Sequence, residues 1–261
     1  MTVSDLTLIL NFHREGHLAA VSIAALGDAA ADARAAGFTV DLVAVLDRPD
    51  ALTSGVVEDS GVGWAQVLVV DVGDLGGARN AATQQIAHGM VGFCDGDDLV
   101  GHEWPRRALE FMAHRSDSPI LHPEYIYYFD ESDFLRHSLT GRPRTDARSF
   151  FMRQTSSDER DFRAEVIRFN NIYTSNQIAH VDRYREFPFA LVDEEKGIGV
   201  EDWAWNALTL ARGVPHLVVP ESVHLVRVKA AGSLGAKNVD RGVLPDLHQA
   251  FPRPLRDRRQ V

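Results

Sequence analysis

Asp95, Asp97 and Asp98 close the segment Met90-Val91-Gly92-Phe93-Cys94-Asp95-Gly96-Asp97-Asp98, in which an apolar run ends abruptly in three carboxylates. Crowded carboxylates repel, so the cluster is tolerable where a divalent cation or the hydrogen-bond donors of a ligand neutralise it. A metal-assisted site is the first reading, and a solvated acidic turn is its competitor, since Asp and Gly are ordinary loop residues. A second carboxylate pair, Glu201-Asp202, stands in the first turn of a helix-like stretch that runs from about Gly199 to Arg212, where the helix dipole favours negative charge.

Short apolar runs alternating with helix-like stretches must position the first cluster. This rhythm predicts a parallel sheet with crossover helices. Strands are expected over Leu6 to Leu10, Asp41 to Leu46, Gln66 to Val70 and Met90 to Cys94. An alanine-rich helix from Leu18 to Ala36 should end at Gly37, and a second helix should run from Ala78 to His88, introduced by Gly76-Gly77 and ended by Gly89. Open sheets of this kind bind ligands outside the carboxyl ends of their strands. Four strand ends are polar here: Asn11-Phe12-His13-Arg14-Glu15, Asp47-Arg48, Asp71 and the Asp95 cluster.

The texture changes after about residue 118. From Pro119 to Tyr173 aromatic and charged residues mingle, with Tyr125-Ile126-Tyr127-Tyr128-Phe129 followed by Arg142, Arg144, Arg148 and Arg153, and the stretch reads as an inserted, partly loop-like region over the sheet edge. A late strand, His216 to Val219, and an extended segment, Val223 to Lys229, complete the sheet. No internal repeat or low-complexity linker interrupts the chain, which favours one domain over 1–261, with halves meeting near 118/119.

The 261 residues carry a net charge of -10 and a pI near 5.5, which argues against a nucleic-acid surface but allows a local basic pocket for phosphates. The one cysteine, Cys94, fits core packing and a reducing cytoplasm. No stretch reaches the ~20 apolar residues of a membrane span, and the N-terminus lacks the layout of a signal peptide. A cytoplasmic protein is expected, with membrane contact at most peripheral, at the inner face.

In this order the motifs resemble those of family-2 glycosyltransferases with the GT-A fold, inverting enzymes that use nucleotide-diphosphate sugars. The resemblance spans roughly Leu6 to Lys229: a polar loop after strand one, an Asp after strand two, an Ala-Arg-Asn helix, Asp-x-Asp, and Glu-Asp heading a helix. It implies an α/β fold of GT-A type, a Rossmann-like mixed and mostly parallel sheet with flanking helices and an inserted acceptor-side region, residues 1–118 binding the nucleotide sugar. It also implies a divalent cation, Mn²⁺ or Mg²⁺. The donor would be a nucleotide-diphosphate sugar, UDP-sugar favoured over GDP- or dTDP-sugar. The acceptor would be a glycan or glycolipid of bacterial polysaccharide or glycoconjugate synthesis, and the family leaves room for a homodimer.

Carried over residue by residue, the resemblance implies that Asp47 contacts the base and that Phe12, His13, Arg14 and Glu15 frame it; a helix-start acid is the alternative for Glu15. Arg79 resembles the arginine near the nucleotide and the acidic motif, a structural salt bridge to one of those Asp residues being compatible with this. Asp95 matches the ribose carboxylate of Asp95-Gly96-Asp97, and Asp97 matches the metal ligand beside the diphosphate. Asp98 either orients the motif or caps the helix near Glu103. Asp202 matches the catalytic base, which the helix N-terminus should keep ionised.

Glu201 is expected to hold the acceptor or the loop. Trp203 and Trp205 would wall a sugar face unless they pack in the core. His224 resembles a third metal ligand, with a structural histidine as alternative, and Arg227 and Lys229, alternating along an extended segment, would face the phosphates together. Gly232-Ser233-Leu234 would close over the donor.

His122-Pro123-Glu124-Tyr125 and Asn176 lie where acceptor or donor-sugar contacts are expected, with a role in the fold as the alternative. Asn11-Phe12-His13-Arg14 departs from the usual Pro-x-Tyr-Asn, which leaves base and donor open. Two rivals remain: a GT-A fold that binds a glycan or partner without catalysis, and a sugar nucleotidyltransferase. The latter would need a Gly-rich basic loop after strand one, which Asn11 to His17 does not supply.

Overall fold

The computed structural model describes residues 5–130, 149–229, 238 and 240–251. Arg142, Arg144, Arg148 and Gly232-Ser233-Leu234 lie outside the described residues. The first half follows the expected rhythm: β1 (Leu6–Phe12), α1 (Leu18–Ala35), β2 (Val40–Asp47), α2 (Ala51–Glu58), β3 (Gln66–Val70), α3 (Leu75–Gln85) and β4 (Met90–Asp95). These four strands are parallel, in the order β3-β2-β1-β4. Leu6, Leu8, Leu10 and Phe12 point to one face and pack with Ala19, Ile23, Leu26, Ala30 and Ala33 of α1, while Ile9 points to the other. Period-2 alternation in the strand and period-3.6 spacing in the helix produce this pairing. At the end of α1, Gly37 takes φ 96° while Gly37 N–H donates to Arg34 O and Phe38 N–H to Ala33 O, the two bonds of a Schellman cap.

α3 begins three residues earlier than expected. Asp74 caps it by accepting from Gly77 N–H at 2.7 Å, so Gly76 and Gly77 lie inside its first turn. A Cβ on Gly76 would stand 2.5 Å from Ala190 O, so the glycine allows the close approach of a later loop to the helix.

The second half departs from its expected reading. β5 (Leu99–Val100) and α4 (Trp104–Met112) lead to β6 (Ile120–Asp130), an eleven-residue strand in the middle of the sheet, where a loop-like insertion was anticipated. Its Tyr and Phe residues are good strand formers, and the interspersed His122 and Glu124 hid the alternation. β7 (Phe150–Arg153) pairs with it, and β8 (Ile178–His180), α5 (Val181–Glu186), β9 (Ile198–Gly199), α6 (Glu201–Ala211), β10 (His216–Val228) and β11 (Leu244–Pro245) follow. β10 is one strand rather than two pieces; a bulge around Pro220, with Glu221 at φ 57°, shifts its register.

The nine-stranded sheet has the order β3-β2-β1-β4-β8-β6-β10-β5, with β7 on β6, and strands β8, β6 and β10 from beyond residue 118 are woven between β4 and β5. The result is a mixed, mostly parallel sheet flanked by helices, the GT-A type fold. No helix among the described residues is long and apolar enough to cross a membrane.

Candidate active site

β1 and β4 run side by side with Asn11 opposite Asp95, so the first acidic cluster emerges beside the His13–Glu15 loop. Gly96 makes the turn: its N–H donates to Asn11 O at 2.8 Å, and a Cβ there would stand 2.5 Å from Phe12 Cδ1. Phe12 is itself buried, edge-on to Trp64, and the expectation that it frames a base is corrected, because a residue pointing into the α1 layer has no surface to offer. Exposed His13 and Arg14 remain on the loop. Glu15 is not a helix-start acid; its carboxylate turns back to accept from His13 N–H at 2.6 Å, and burial, with Asp97 nearby, raises its pKa. Asp47, at the end of β2, accepts from the N–H groups of Val72, Gly73 and Asp74 and so holds the loop between β3 and α3. Of its roughly four lone-pair sites one is left for a ligand.

Each carboxylate of the acidic cluster meets different partners. Asp95 accepts from Arg79 at 2.7 Å and from Ser175 Oγ at 3.1 Å. Asp97 pairs with Lys229, and burial together with Asp98 raises its pKa. Asp98 accepts from Arg227 N–H at 2.8 Å and has His224 Nε2 at 3.3 Å from its other oxygen. Asp98 therefore fastens the cluster to β10 and does not cap α4, whose N-cap is Glu103. Arg227 reaches Asp97 O through Nε and lies over Phe129, while Lys229, two residues on, meets the Asp97 carboxylate. Both cations thus converge on Asp97.

Glu201 is buried and Asp202 is half-buried at the start of α6. Val200, its N-cap, sits in the left-handed region at φ 56°, a strained conformation for a β-branched residue. Asp202 accepts from Trp203 N–H at 2.7 Å and from Asn171 Nδ2 at 3.0 Å. Arg79, without exposed surface, reaches Asp95 with one nitrogen and Glu201 with another, each at 2.7 Å. Burial raises the pKa of Asp202, and it pushes Glu201 up to about 7 against the lowering pull of Arg79. At Asp202 desolvation outweighs the lowering effect of Arg79 and of the Trp203 and Asn171 donors.

Four further groups of residues take the structural alternative. Arg79 has no exposed surface for a nucleotide and instead bridges the two carboxylate groups. Asn176 is buried, its Oδ1 accepting from Trp104 Nε1 at 2.8 Å, so the acceptor contact expected of it is not available. Trp203 donates to Ile167 O and packs beside it, and Trp205 stacks with Tyr184 and Phe189 in the core, so neither is a free wall for a sugar. His122 and Glu124 are structural as well: His122 bonds to His216 at 2.9 Å under Tyr173, and Glu124 accepts from Arg153 and Glu221 N–H. Burial drives the pKa of His122 well down and that of His216 to about 3, so both are neutral.

Ser175, Thr174 and Asn171 were missed by sequence reasoning. They fall in the polar run before β8, Asn170-Asn171-Ile172-Tyr173-Thr174-Ser175, and that abrupt change into an apolar strand was the available signal. Tyr128 on β6 was missed too; Asp202 and Asp98 are among its electrostatic neighbours.

Among the described residues no group of three or more His, Cys, Asp and Glu side chains could hold a metal ion. His224 is a correction in this respect: its ring is 1 % exposed, with Nδ1 3.2 Å from Thr174 Oγ1 and Nε2 beside Asp98, not Asp97. Asp97 differs from its neighbours, because the flexible Lys229 ammonium is a partner a harder cation can displace. The residues fit an ion held by one carboxylate and completed by substrate phosphates and water, a common arrangement for Mg²⁺.

No protein-family model matches the chain, and no curated relative does. Solved structures do match. Staphylococcus aureus TarS 1–349 in complex with UDP-GlcNAc aligns with a TM-score of 0.61 and 15% identity over 94% of this chain and 68% of that one. A mannosyltransferase, PcManGT from Pyrobaculum calidifontis in complex with GDP-Man and Mn²⁺, aligns at 0.57 and 14% identity, over 89% and 59%. Glucosyl-3-phosphoglycerate synthase of M. tuberculosis aligns at 0.51 and 14%, over 89% and 75%. The chain spans 60% of another structure of TarS 1–349 and 37% of the TarS structure without that truncation. At these identities the likeness concerns the fold, and the fold it joins is one whose solved examples here are glycosyl-transferring and sugar-nucleotide-binding proteins.

Proposed function

We propose that the chain is an inverting glycosyltransferase that moves a sugar from a nucleotide-diphosphate sugar to an acceptor hydroxyl in the assembly of a bacterial polysaccharide or glycoconjugate. The observation that carries this reading is the placement of a half-buried carboxylate, Asp202, one residue from Glu201, which a single guanidinium joins to the strand-end carboxylate Asp95. A donor site and a proton acceptor are thereby set against each other, as a direct displacement requires. The fold shared with TarS and the mannosyltransferase, solved with UDP-GlcNAc and GDP-Man, supports it.

The nucleotide would lie along the ends of β1, β2 and β4, with His13, Arg14 and the remaining lone pair of Asp47 near the base and Asp95 near the ribose. Lys229 and Arg227 supply positive charge where the diphosphate would rest. Asp202 takes the acceptor proton as that oxygen attacks the anomeric carbon; the bond from this carbon to the diphosphate oxygen breaks, and the nucleoside diphosphate leaves with the electron pair. A pKa raised above that of an ordinary carboxylate makes Asp202 a better proton acceptor. A divalent cation at Asp97 would, when bound, neutralise charge on the departing diphosphate.

Thermal-shift titration with UDP, GDP, dTDP and their sugars, with and without Mn²⁺, tests the donor assignment, because a ligand of the folded state raises Tm. Release of free nucleoside diphosphate is the expected product signal. Release of pyrophosphate from a sugar phosphate and a nucleoside triphosphate would make the chain a nucleotidyltransferase.

A further inference from the structure

Arg79 is an unusual residue to bury. It has no exposed surface, lies on α3 behind the strand ends, and sits over the rings of Phe93 and Phe189 at 5.8 and 5.4 Å. A guanidinium is withdrawn from water at great cost unless carboxylates meet it, and here two do, one at each terminal nitrogen. One nitrogen takes Asp95 Oδ1 on β4 and the other takes Glu201 Oε1 on α6, each at 2.7 Å. Those carboxylates belong to elements 106 positions apart in sequence, and no direct bond joins them. Asp202 is the next residue after Glu201 in the first turn of α6, so whatever fixes Glu201 also fixes the base.

We propose that Arg79 is the positioning residue of the site: its two-pronged guanidinium ties the donor-side carboxylate Asp95 to Glu201 and thereby sets the distance of the base Asp202 from the donor. The tie rests on the proposed transferase reading for its kinetic consequence, but not for its physical existence. A fork matters because the two carboxylates are met by two separate nitrogens of a planar group, whereas lysine offers one nitrogen on a shorter, flexible arm. The surroundings favour such rigidity. Asp95 is braced on its other oxygen by Ser175, Asp202 by Asn171, and a Cβ on Gly76 of the same helix would stand 3.3 Å from Glu201 Cβ, so α3 and α6 are in close contact around the guanidinium.

The tie has a signature that needs no ligand. Asp95→Asn or Glu201→Gln alone leaves Arg79 one full partner; both together leave a buried cation without either. In urea unfolding of the full chain, the double variant should therefore lose at least tenfold more in the folding equilibrium constant than the product of the single losses. The same cycle in an Arg79→Met background should be multiplicative within threefold. Equal coupling in both backgrounds, or none with Arg79 present, overturns the tie.

The positioning role is read on Arg79→Lys, with release of nucleoside diphosphate from UDP-, GDP- and dTDP-sugar probes. A loss of about a hundredfold in kcat with donor KM within threefold is expected. Retention of kcat within threefold overturns positioning, and a tenfold rise in KM with unchanged kcat would instead make Arg79 a nucleotide ligand. If the wild-type chain releases no nucleoside diphosphate from any probe, the transferase reading fails while the unfolding cycle still decides the tie. Should Arg79→Lys not fold, kcat of Glu201→Gln against wild type takes its place, with a fall of tenfold or more expected and an unchanged value contrary to positioning.

Discussion

The two carboxylate clusters of the site are neutralised in opposite ways. At the end of β4, Asp95, Asp97 and Asp98 each lie against a different basic side chain: Arg79, Lys229 and His224. At the start of α6, Glu201 and Asp202 have one guanidinium between them, and that one is shared with Asp95. The first arrangement gathers basic side chains where a diphosphate would rest. The second leaves negative charge underpaid by donors in a dry environment, which raises both pKa values and turns a carboxylate toward proton uptake. Identical chemistry at the side-chain level therefore serves two purposes, separated by the number of basic side chains within reach.

The largest effect that can break this contrast is on turnover. Asp202→Asn should lower kcat by about 10²–10⁴-fold, the range for loss of a general base, while calorimetric donor affinity stays within threefold. An active Asp202→Asn would move the base elsewhere. On the donor side, Asp97→Ala should weaken nucleoside-diphosphate binding about tenfold or more in Mn²⁺, roughly 1.4 kcal/mol, and abolish the difference between titrations with and without the ion. A difference that persists would remove Asp97 from cation binding.

Gly96→Ala probes the packing beneath the donor cluster. With a Cβ 2.5 Å from Phe12 Cδ1 and 2.7 Å from Asn11 O, it should cost about 1–3 kcal/mol in urea unfolding, as overpacking does. An unchanged midpoint would mean the β1–β4 turn is looser than its contacts.

The smallest effect sharpens the electrostatic half of the contrast. Glu201 holds its proton up to about pH 7 when folded and to about 4.5 otherwise, so the folded state binds more protons in that window. Its contribution to stability is consequently lost as pH rises from 4.5 to 7. Glu201→Gln lacks this slope, and its Tm relative to wild type should climb across the same window. A flat difference would show that Glu201 is ionised throughout.

Much of the first half was legible because its signals are local. Strand alternation, the alanine stripe of α1 and Gly37 all act within a few residues, and the acidic motif could be placed at a strand end by the same means. β6 was not legible: a central strand that carries His122, Glu124 and four aromatic rings is stabilised by partners such as His216 and β7, which its own sequence does not announce. Phe12 and Asn176 were misread for a related reason, since a polar loop context said nothing about the face on which each side chain would be buried.

The sequence alone determined the α/β rhythm, the strand ends that gather the polar residues, and the carboxylates at positions 95, 97 and 202 available for chemistry. Tertiary structure alone decided their partners. Arg79 meets Glu201 from 122 positions away, and Arg227 meets Asp97 from 130, distances at which no periodicity or spacing carries information. Burial is likewise a property of the assembled sheet and helices, and burial is what raises the pKa of Asp97, Glu201 and Asp202 above that of an ordinary carboxylate.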